Sequence, residues 1–175
     1  MRSTAFIGLG ANLGDPRAQL EAAVVALAAL AEVELLAVSS TYESDSVGPI
    51  SDQPVFLNAV AEIATTLAPA ALLAALHEIE NSLGRIRTVR FGPRTADLDL
   101  LLYDDVVSDD PALLLPHPRL AERRFVLDPL AELAPTLALP DGRRVRDLRQ
   151  AVRDQGVRRL DGPPLFDPEP PARLP

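Results

Sequence analysis

The chain of 175 residues contains no cysteine, no tryptophan and no lysine. Without cysteine, neither a disulfide nor a thiolate metal site is possible. Without lysine, a Walker A phosphate loop is excluded, because that loop requires its lysine. All 17 basic residues are therefore arginine, and any cation that binds a phosphate must be a guanidinium.

The chain also lacks a long uninterrupted apolar run. The alanine-rich and leucine-rich segment after Asp15 is too broken to span a membrane. It is interrupted by Arg17, Gln19, Glu21 and Glu32. The first residues carry one arginine and too short an apolar run for a signal peptide. The net charge of -8 argues against a non-specific nucleic-acid binder. A cytoplasmic protein with neither a membrane nor a nucleic acid as partner is expected.

The stretch from Gly84 to Leu102 concentrates charge beside an apolar strand. Asp97 and Asp99 open a run of leucines, and on a strand they point to the same face with roughly 6.5 Å between their Cα atoms. Two such carboxylates suit Mg²⁺, and guanidinium groups nearby suit the phosphates that Mg²⁺ bridges. The alternative for this charge run is a solvated loop. The arginines are Arg85, Arg87, Arg90 and Arg94.

Aromatic residues are scarce, and three of them lie beside polar motifs. Phe56, Phe91 and Phe125 each suit core packing when taken singly, but next to Asn58 and arginines they also suit a flat heterocycle. His117 stands between two prolines on a predicted rigid loop, where it is either a surface residue or a donor to a phosphate.

The order of predicted elements defines the fold class. An α+β, ferredoxin-like β-α-β-β-α-β core is expected, with an antiparallel sheet and both helices on one face. Further C-terminal helices would complete three α-β-α layers. The predicted strands are 4–9, 33–42, 55–67 and 97–103, and a short return strand is expected at 106–107. The predicted helices are 16–32 with Asp15 as its N-cap, 69–83, an apolar stretch that follows Arg124, and 145–154. Residues 1–155 form the predicted domain, and the proline-rich tail 156–175 is expected to be loosely ordered.

Several segments together resemble the 6-hydroxymethyl-7,8-dihydropterin pyrophosphokinase family. The segments are FIGLGANLGD, VGPISDQPVFLNAV, LGRIR with GPRTADLDLLL, and LPHPRLAERRFVLDPLAELAP, and they cover about residues 4–142. The resemblance implies transfer of the pyrophosphoryl group of ATP to the hydroxymethyl oxygen of 6-hydroxymethyl-7,8-dihydropterin, which gives AMP and the pterin diphosphate in folate biosynthesis. It also implies two Mg²⁺ ions, and we expect a monomer.

The resemblance assigns roles to individual residues. The implied Mg²⁺ ligands are Asp97 and Asp99, and these form the catalytic set together with Arg85 and Arg94. The implied ATP contacts are Glu80, Arg87, His117 and Arg123. The implied pterin contacts are Ser44, Val47, Phe56, Asn58 and Phe125.

Two other functions remain open from the residues alone. One is a Mg²⁺-dependent kinase or nucleotidyltransferase acting on another small alcohol. The other is a ferredoxin-like binding module for RNA or a small regulator. For the RNA-binding version the chain lacks the aromatic-rich pattern, and its net charge is unfavourable. The nucleotide product formed from ATP separates the two enzyme hypotheses.

Overall fold

A computed structural model describes residues 1–45, 54–84 and 96–167 of the chain. Within these ranges the chain forms eight strands, four α-helices and one 3₁₀ turn at Leu120–Glu122. The strands are β1 (Ser3–Ala11), β2 (Val33–Val38), β3 (Tyr42–Ser44), β4 (Phe56–Thr65), β5 (Asp97–Tyr103), β6 (Ser108–Asp110), β7 (Leu113–Leu115) and β8 (Val157–Arg159). The helices are α1 (Pro16–Ala28), α2 (Pro69–Ser82), α3 (Arg124–Leu133) and α4 (Val145–Ala151).

The main sheet is antiparallel, and its two longest strands lie at its centre. β1 pairs with β4 from Ser3 opposite Thr65 to Ala11 opposite Leu57. β5 adds to the other side of β1, whereas β2 and β3 both pair with β4. β8 pairs with β3 at the far edge. β6 and β7 form a separate two-stranded sheet.

Each face of the main sheet carries its own apolar core. In β1, Ile7 and Leu9 belong to one core, and Phe6 belongs to the other, because successive side chains on a strand point to opposite faces. Helices α1 and α2 pack on the first face, and α3 packs against β4 and α4 on the second. The result is a mixed α/β fold with helices on both sides of an antiparallel sheet.

Several sequence predictions are confirmed. Strands occur within the predicted ranges 55–67 and 97–103, β1 extends beyond the predicted range 4–9 at both ends, and α2 starts at Pro69 as expected. Asp15 caps α1, since its carboxylate accepts a hydrogen bond from the N–H of Ala18 at 3.1 Å. Gly84 follows the end of α2 with φ of +89°, the left-handed conformation expected just after a helix.

The predicted single strand 33–42 is wrong, because the chain forms β2 and β3 with a break between them. At the break, the Ser39 hydroxyl accepts a hydrogen bond from the N–H of Val60 at 2.9 Å. A side chain thus replaces a backbone acceptor in the ladder with β4, as serine readily does.

The first helix ends at Ala28 rather than at Glu32. The carbonyl of Glu32 accepts hydrogen bonds from Thr65 Oγ1 at 2.9 Å and from the N–H of Thr66 at 3.1 Å. This tertiary pairing brings Val33 into the sheet and overrides the helix propensity of the preceding alanines. The last helix is also shorter than predicted, since α4 ends at Ala151.

The segment after Gly156 contains a strand that the sequence did not predict. β8 pairs with β3, with Val157 opposite Ser44 and Arg159 opposite Tyr42. A three-residue edge strand with two arginines carries little periodic signal, so composition alone gives no indication of it. The predicted return strand at 106–107 is displaced to β6, which pairs with β7. The predicted domain boundary at residue 155 stays a prediction.

No helix in the described ranges combines the length and the apolar character that a bilayer crossing requires.

Candidate active site

A cavity of about 720 Å³ opens on the α3 face of the main sheet, at one end of its central strands. Its floor is β1, where Gly8 and Gly10 occupy the two positions that face the cavity. Gly10 lies between Asp97 on β5 and Asn58 on β4, and Gly8 lies next to Asp99. A Cβ atom at Gly10 would stand 3.5 Å from Asn58 Oδ1, so the missing side chain keeps the floor flat beside that amide.

Asp97 and Asp99 form one wall of the cavity. They lie on the same face of β5, as the two-residue period of a strand dictates. Both are half-buried, and Leu98 between them is buried in the opposite core. The N–H of Leu98 donates a hydrogen bond to Glu80 Oε1 at 2.8 Å. The buried carboxylate on α2 therefore holds the backbone between the two aspartates.

The donor chemistry of this wall fits Mg²⁺. Two carboxylates on one face repel each other unless a cation joins them. Mg²⁺ commonly binds to proteins through one or two carboxylates and completes its six ligands with waters and substrate phosphates. Within residues 1–45, 54–84 and 96–167, no group of three His, Asp or Glu side chains is arranged to hold a metal. The aspartate pair therefore fits a metal that arrives with a phosphorylated ligand better than it fits a closed structural site.

Asn58 lies on the opposite side of the floor and has a fixed orientation. Its Nδ2 donates to Ser44 Oγ at 2.8 Å and to the carbonyl oxygen of Tyr42 at 3.3 Å, and the side chain is only 4% exposed. Both amide donors are thus used by β3. Oδ1 faces the glycine floor and accepts no hydrogen bond from the described residues. The cavity therefore presents an acceptor to a ligand that carries an N–H group at its edge.

Two phenylalanines and an arginine complete the walls. Phe56 begins β4, and Phe125 lies in the first turn of α3. The guanidinium carbon of Arg123 lies 5.5 Å from the centre of the Phe125 ring, within the range of a cation–π contact. Burial lowers the pKa of Arg123, and Asp99 opposes that shift. Arginine nevertheless stays charged, so the cavity contains a partly desolvated cation facing two carboxylates.

His117 lies close to the aspartate wall but does not line the cavity. Its Nδ1 accepts a hydrogen bond from the N–H of Arg119 at 3.2 Å, which assigns the proton of the neutral ring to Nε2. Burial lowers the pKa of His117; Asp99 opposes this shift, and Arg123 adds to it. The ring is therefore a neutral donor at pH 7.

The structure brings most of the predicted site residues together. Seven of them line the cavity: Ser44, Phe56, Asn58, Asp97, Asp99, Arg123 and Phe125. Glu80 is buried on α2 behind the aspartate wall, and His117 lies close to Asp99. Val47, Arg85, Arg87 and Arg94 lie outside the described residues.

Sequence reasoning missed the wall that the C-terminal segment contributes. Gln155, Gly156 and Val157 line the cavity next to Ser44. Arg119 and Glu122 also line it. A partial signal for the last two was their position in the basic segment after His117, whereas no pattern in the sequence marked residues 155–157.

The fold and the cavity define a mixed α/β protein with a small-molecule site that combines a carboxylate pair, an arginine and an aromatic pocket with an amide. A family model described as 7,8-dihydro-6-hydroxymethylpterin-pyrophosphokinase (HPPK) matches residues 6–135. The chain belongs to this family.

Two curated relatives agree with this family membership. The 2-amino-4-hydroxy-6-hydroxymethyldihydropteridine pyrophosphokinase of Pseudomonas aeruginosa is 50% identical over 157 residues, which cover 90% of this chain and 96% of that protein. The protein of the same name from Haemophilus influenzae is 42% identical over 158 residues, which cover 90% of this chain and 98% of that protein.

Solved structures show the same fold at low identity. The wild-type HPPK-DHPS of Plasmodium falciparum matches 86% of this chain with a TM-score of 0.66 and 12% identity. An HPPK-DHPS in complex with substrates matches 86% of this chain with a TM-score of 0.67 and 12% identity. This chain spans 45% and 43% of those two chains, respectively. At this identity the likeness concerns the fold alone.

Proposed function

We propose that this protein transfers the pyrophosphoryl group of ATP to the hydroxymethyl oxygen of 6-hydroxymethyl-7,8-dihydropterin, a step of folate biosynthesis. In the reaction the hydroxymethyl oxygen forms a bond to the β-phosphorus, the bond from that phosphorus to the α,β-bridging oxygen breaks, and AMP leaves. The family membership supports this activity. The observation that carries the assignment to this cavity is the placement of the Asp97–Asp99 pair and Asn58 on either side of one glycine floor.

The amide side of the cavity is proposed to bind the pterin. Asn58 Oδ1 would accept a hydrogen bond from an N–H group at the edge of the ring, since both Asn58 donors are used by β3. Phe56 and Phe125 line the same cavity and would pack against the ring faces. Ser44 acts through Asn58, because its hydroxyl accepts from Nδ2.

The aspartate side is proposed to bind the phosphates of ATP together with two Mg²⁺ ions. Asp97 and Asp99 would hold the metal, which supplies neutralisation of the phosphate charge when it is bound. Arg123 places a guanidinium in the same cavity, where it can pair with phosphate oxygens. His117 would donate from Nε2. The predicted roles of Arg85, Arg87, Arg94 and Val47 remain part of this proposal on the basis of the resemblance.

Such a transfer needs positioning and charge neutralisation more than covalent chemistry from the protein. The described residues suit that requirement. They provide a flat floor, an oriented amide and partly buried charges, and we assign no general base.

We also propose that the core is ferredoxin-like and that the protein acts as a monomer. The strand order β5-β1-β4-β2 supports the fold assignment, since it puts the first and third strands of the β-α-β-β-α-β unit at the centre. Helices α1 and α2 on one face agree with this arrangement.

The deciding experiment identifies the nucleotide product. Purified protein, ATP, Mg²⁺ and 6-hydroxymethyl-7,8-dihydropterin should give AMP and the pterin diphosphate in equal amounts. Formation of ADP would indicate a different kinase and would refute the proposal. Asp97→Ala and Asp99→Ala should abolish AMP formation while the far-ultraviolet circular dichroism stays unchanged. Removal of Mg²⁺ with EDTA should stop the reaction, and added Mg²⁺ should restore it.

A further inference from the structure

We propose that Gln155 is a positioning residue that caps helix α3 from the C-terminal segment and thereby fixes Arg123 for ATP. The proposal rests on the proposed function, because Arg123 is assigned there to the nucleotide phosphates. The geometry that supports it lies entirely within the described residues.

Helix α3 begins at the cavity without a cap of its own. The first N–H groups of any helix lack partners within the helix and need an acceptor from elsewhere. Arg123 occupies the cap position, and its side chain makes no capping hydrogen bond. A guanidinium has no acceptor to offer. The residue that faces the phosphates therefore cannot also satisfy the start of the helix.

A proline inside α3 weakens the same turn. Pro129 has no N–H group, so the carbonyl of Phe125 loses the hydrogen bond that a helix interior would normally give it. The Arg123 carbonyl accepts hydrogen bonds from the N–H groups of Val126 at 3.1 Å and Leu127 at 3.0 Å. The first turn therefore keeps these bonds, but it lacks the one that the Phe125 carbonyl would normally accept.

The side-chain amide of Gln155 supplies contacts on both sides of Arg123. Its Oε1 accepts a hydrogen bond from the N–H of Arg124 at 2.9 Å. Its Nε2 donates to the carbonyl oxygen of Glu122 at 2.7 Å. One side chain therefore binds the backbone immediately before and immediately after Arg123, which fixes the direction of the Arg123 Cα–Cβ bond.

Arg124 completes the contact in the reverse direction. Its guanidinium donates to the carbonyl oxygens of Arg153 and Gln155, both at 2.8 Å. The same guanidinium pairs with Asp128 at 3.1 Å, and Asp128 pairs with Arg149 at 2.6 Å. The Asp128 side chain is 4% exposed, so it anchors both arginines from the interior. The start of α3 and residues 153–155 therefore hold each other.

This mutual contact also sets the cavity wall. Gly156 and Val157, which follow Gln155, line the cavity and continue into the pairing of β8 with β3. A Cβ atom at Gly156 would lie 2.7 Å from Asp45 Oδ2, so this wall packs closely against the end of β3. The role of Gln155 is thus to tie the nucleotide side of the cavity to its outer wall.

A double-mutant cycle tests whether Gln155 acts through Arg123. Gln155→Met keeps the length of the side chain and removes both hydrogen bonds. Binding of α,β-methylene ATP with Mg²⁺ is measured by isothermal titration calorimetry, since the methylene bridge blocks the bond that the reaction breaks. Gln155→Met should weaken binding about tenfold, because an Arg123 that is no longer held in place loses part of the charge-assisted hydrogen bonding that it would make to the phosphates. In the Arg123→Ala background the same change should alter the affinity by less than twofold.

Gln150→Met is the matched control, because Gln150 is exposed on α4 and its side chain makes no hydrogen bond to the described residues. It should bind the analogue like the wild type. An equal loss from Gln155→Met in both backgrounds, or no loss in either, would overturn the inference. If Gln155→Met does not fold, Gln155→Glu replaces it in the cycle, because Glu keeps the acceptor and loses the donor. A wild-type protein that binds no nucleotide would refute the proposed function instead.

Discussion

A methyl group added to the cavity floor should weaken pterin binding without destabilising the fold. In Gly10→Ala, the new Cβ atom would stand 3.5 Å from Asn58 Oδ1, and among the described residues no other atom beyond its chain neighbours lies within 4 Å of it. This is an ordinary van der Waals distance, so the free protein should accept the change. Replacing glycine where the backbone permits it stabilises a protein by about 0.4–1 kcal/mol through the unfolded state. The melting temperature should therefore stay the same or rise by a few degrees.

The same methyl group should weaken the binding of the pterin. A hydrogen bond to Oδ1 needs a donor within about 3.2 Å, and the methyl group occupies that approach. The loss of this hydrogen bond, together with the desolvation of an unpaired amide oxygen, is estimated at about 2–3 kcal/mol. That range corresponds to a weakening of pterin affinity of about 30- to 150-fold. ATP binds on the aspartate side in the proposal, so its KM should change by less than about threefold.

The assay is AMP formation with the pterin varied at saturating ATP, combined with thermal denaturation of the same samples. Gly8→Ala is the comparison variant, because its Cβ would meet Leu101 Cδ2 at 3.3 Å rather than Asn58. That contact is tight, so Gly8→Ala should lower the melting temperature with a smaller effect on the KM for the pterin. A folded Gly10→Ala protein with an unchanged KM for the pterin would refute the placement of the ring on this floor, as would equal effects of both variants.

Three further changes test the surroundings of the site. Asp128→Ala should lower the free energy of unfolding by about 2–3 kcal/mol in urea, because it leaves two guanidinium groups without their shared carboxylate; Arg146→Ala, which removes only an exposed ion pair, should change it by less than about 1 kcal/mol. Burial, with the charge of Glu132, raises the pKa of Tyr42 to about 12. Between about pH 10 and 12 the unfolded chain loses this proton and the folded protein keeps it, so the free energy of unfolding should fall by roughly 2 kcal/mol over that range. Denaturation curves of Tyr42→Phe should lack this pH dependence. Ser44→Ala should cost about 1–2 kcal/mol of stability and raise the KM for the pterin, because one amide donor of Asn58 loses its acceptor; an unchanged KM would remove Ser44 from the support of that amide.

The sequence was sufficient to place the aspartate pair on a strand. A wholly apolar run after Asp99, with glycine and proline before it, predicted β5, and the period of two then placed both carboxylates on one face. The same alternation places Phe56 and Asn58 on a common face of β4, away from the first core. These inferences depend only on local alternation, which is why a single sequence could support them.

Local alternation could not predict contacts between distant parts of the chain. The burial of Glu80 accompanies the hydrogen bond that it accepts from the N–H of Leu98, 18 residues away, and a single glutamate on a predicted helix carries no local signal of such a contact. Gln155 reaches Glu122 across 33 residues, from the last position before the predicted loose tail. In both cases a polar side chain forms a hydrogen bond to a distant backbone group, and no periodic pattern in the sequence indicates such a contact.

One face of the sheet contains both the cavity and the second core, and the start of α3 separates them. Along this face, Gly10 and Gly8 of β1 line the cavity and Phe6 belongs to the core. In β4, Asn58 lines the cavity and Val60 belongs to the core. β5 changes from its aspartates to leucines at the same level, where a register shift opposite Phe6 and Ile7 interrupts the pairing.

The apolar half of this face is covered by α3 and the polar half is left open. Because α3 begins at Arg124, the residues just before and after that point, Arg123 and Phe125, necessarily stand at the boundary. The cap that Gln155 supplies therefore fixes the position of the cavity's inner wall as well as the direction of a single arginine.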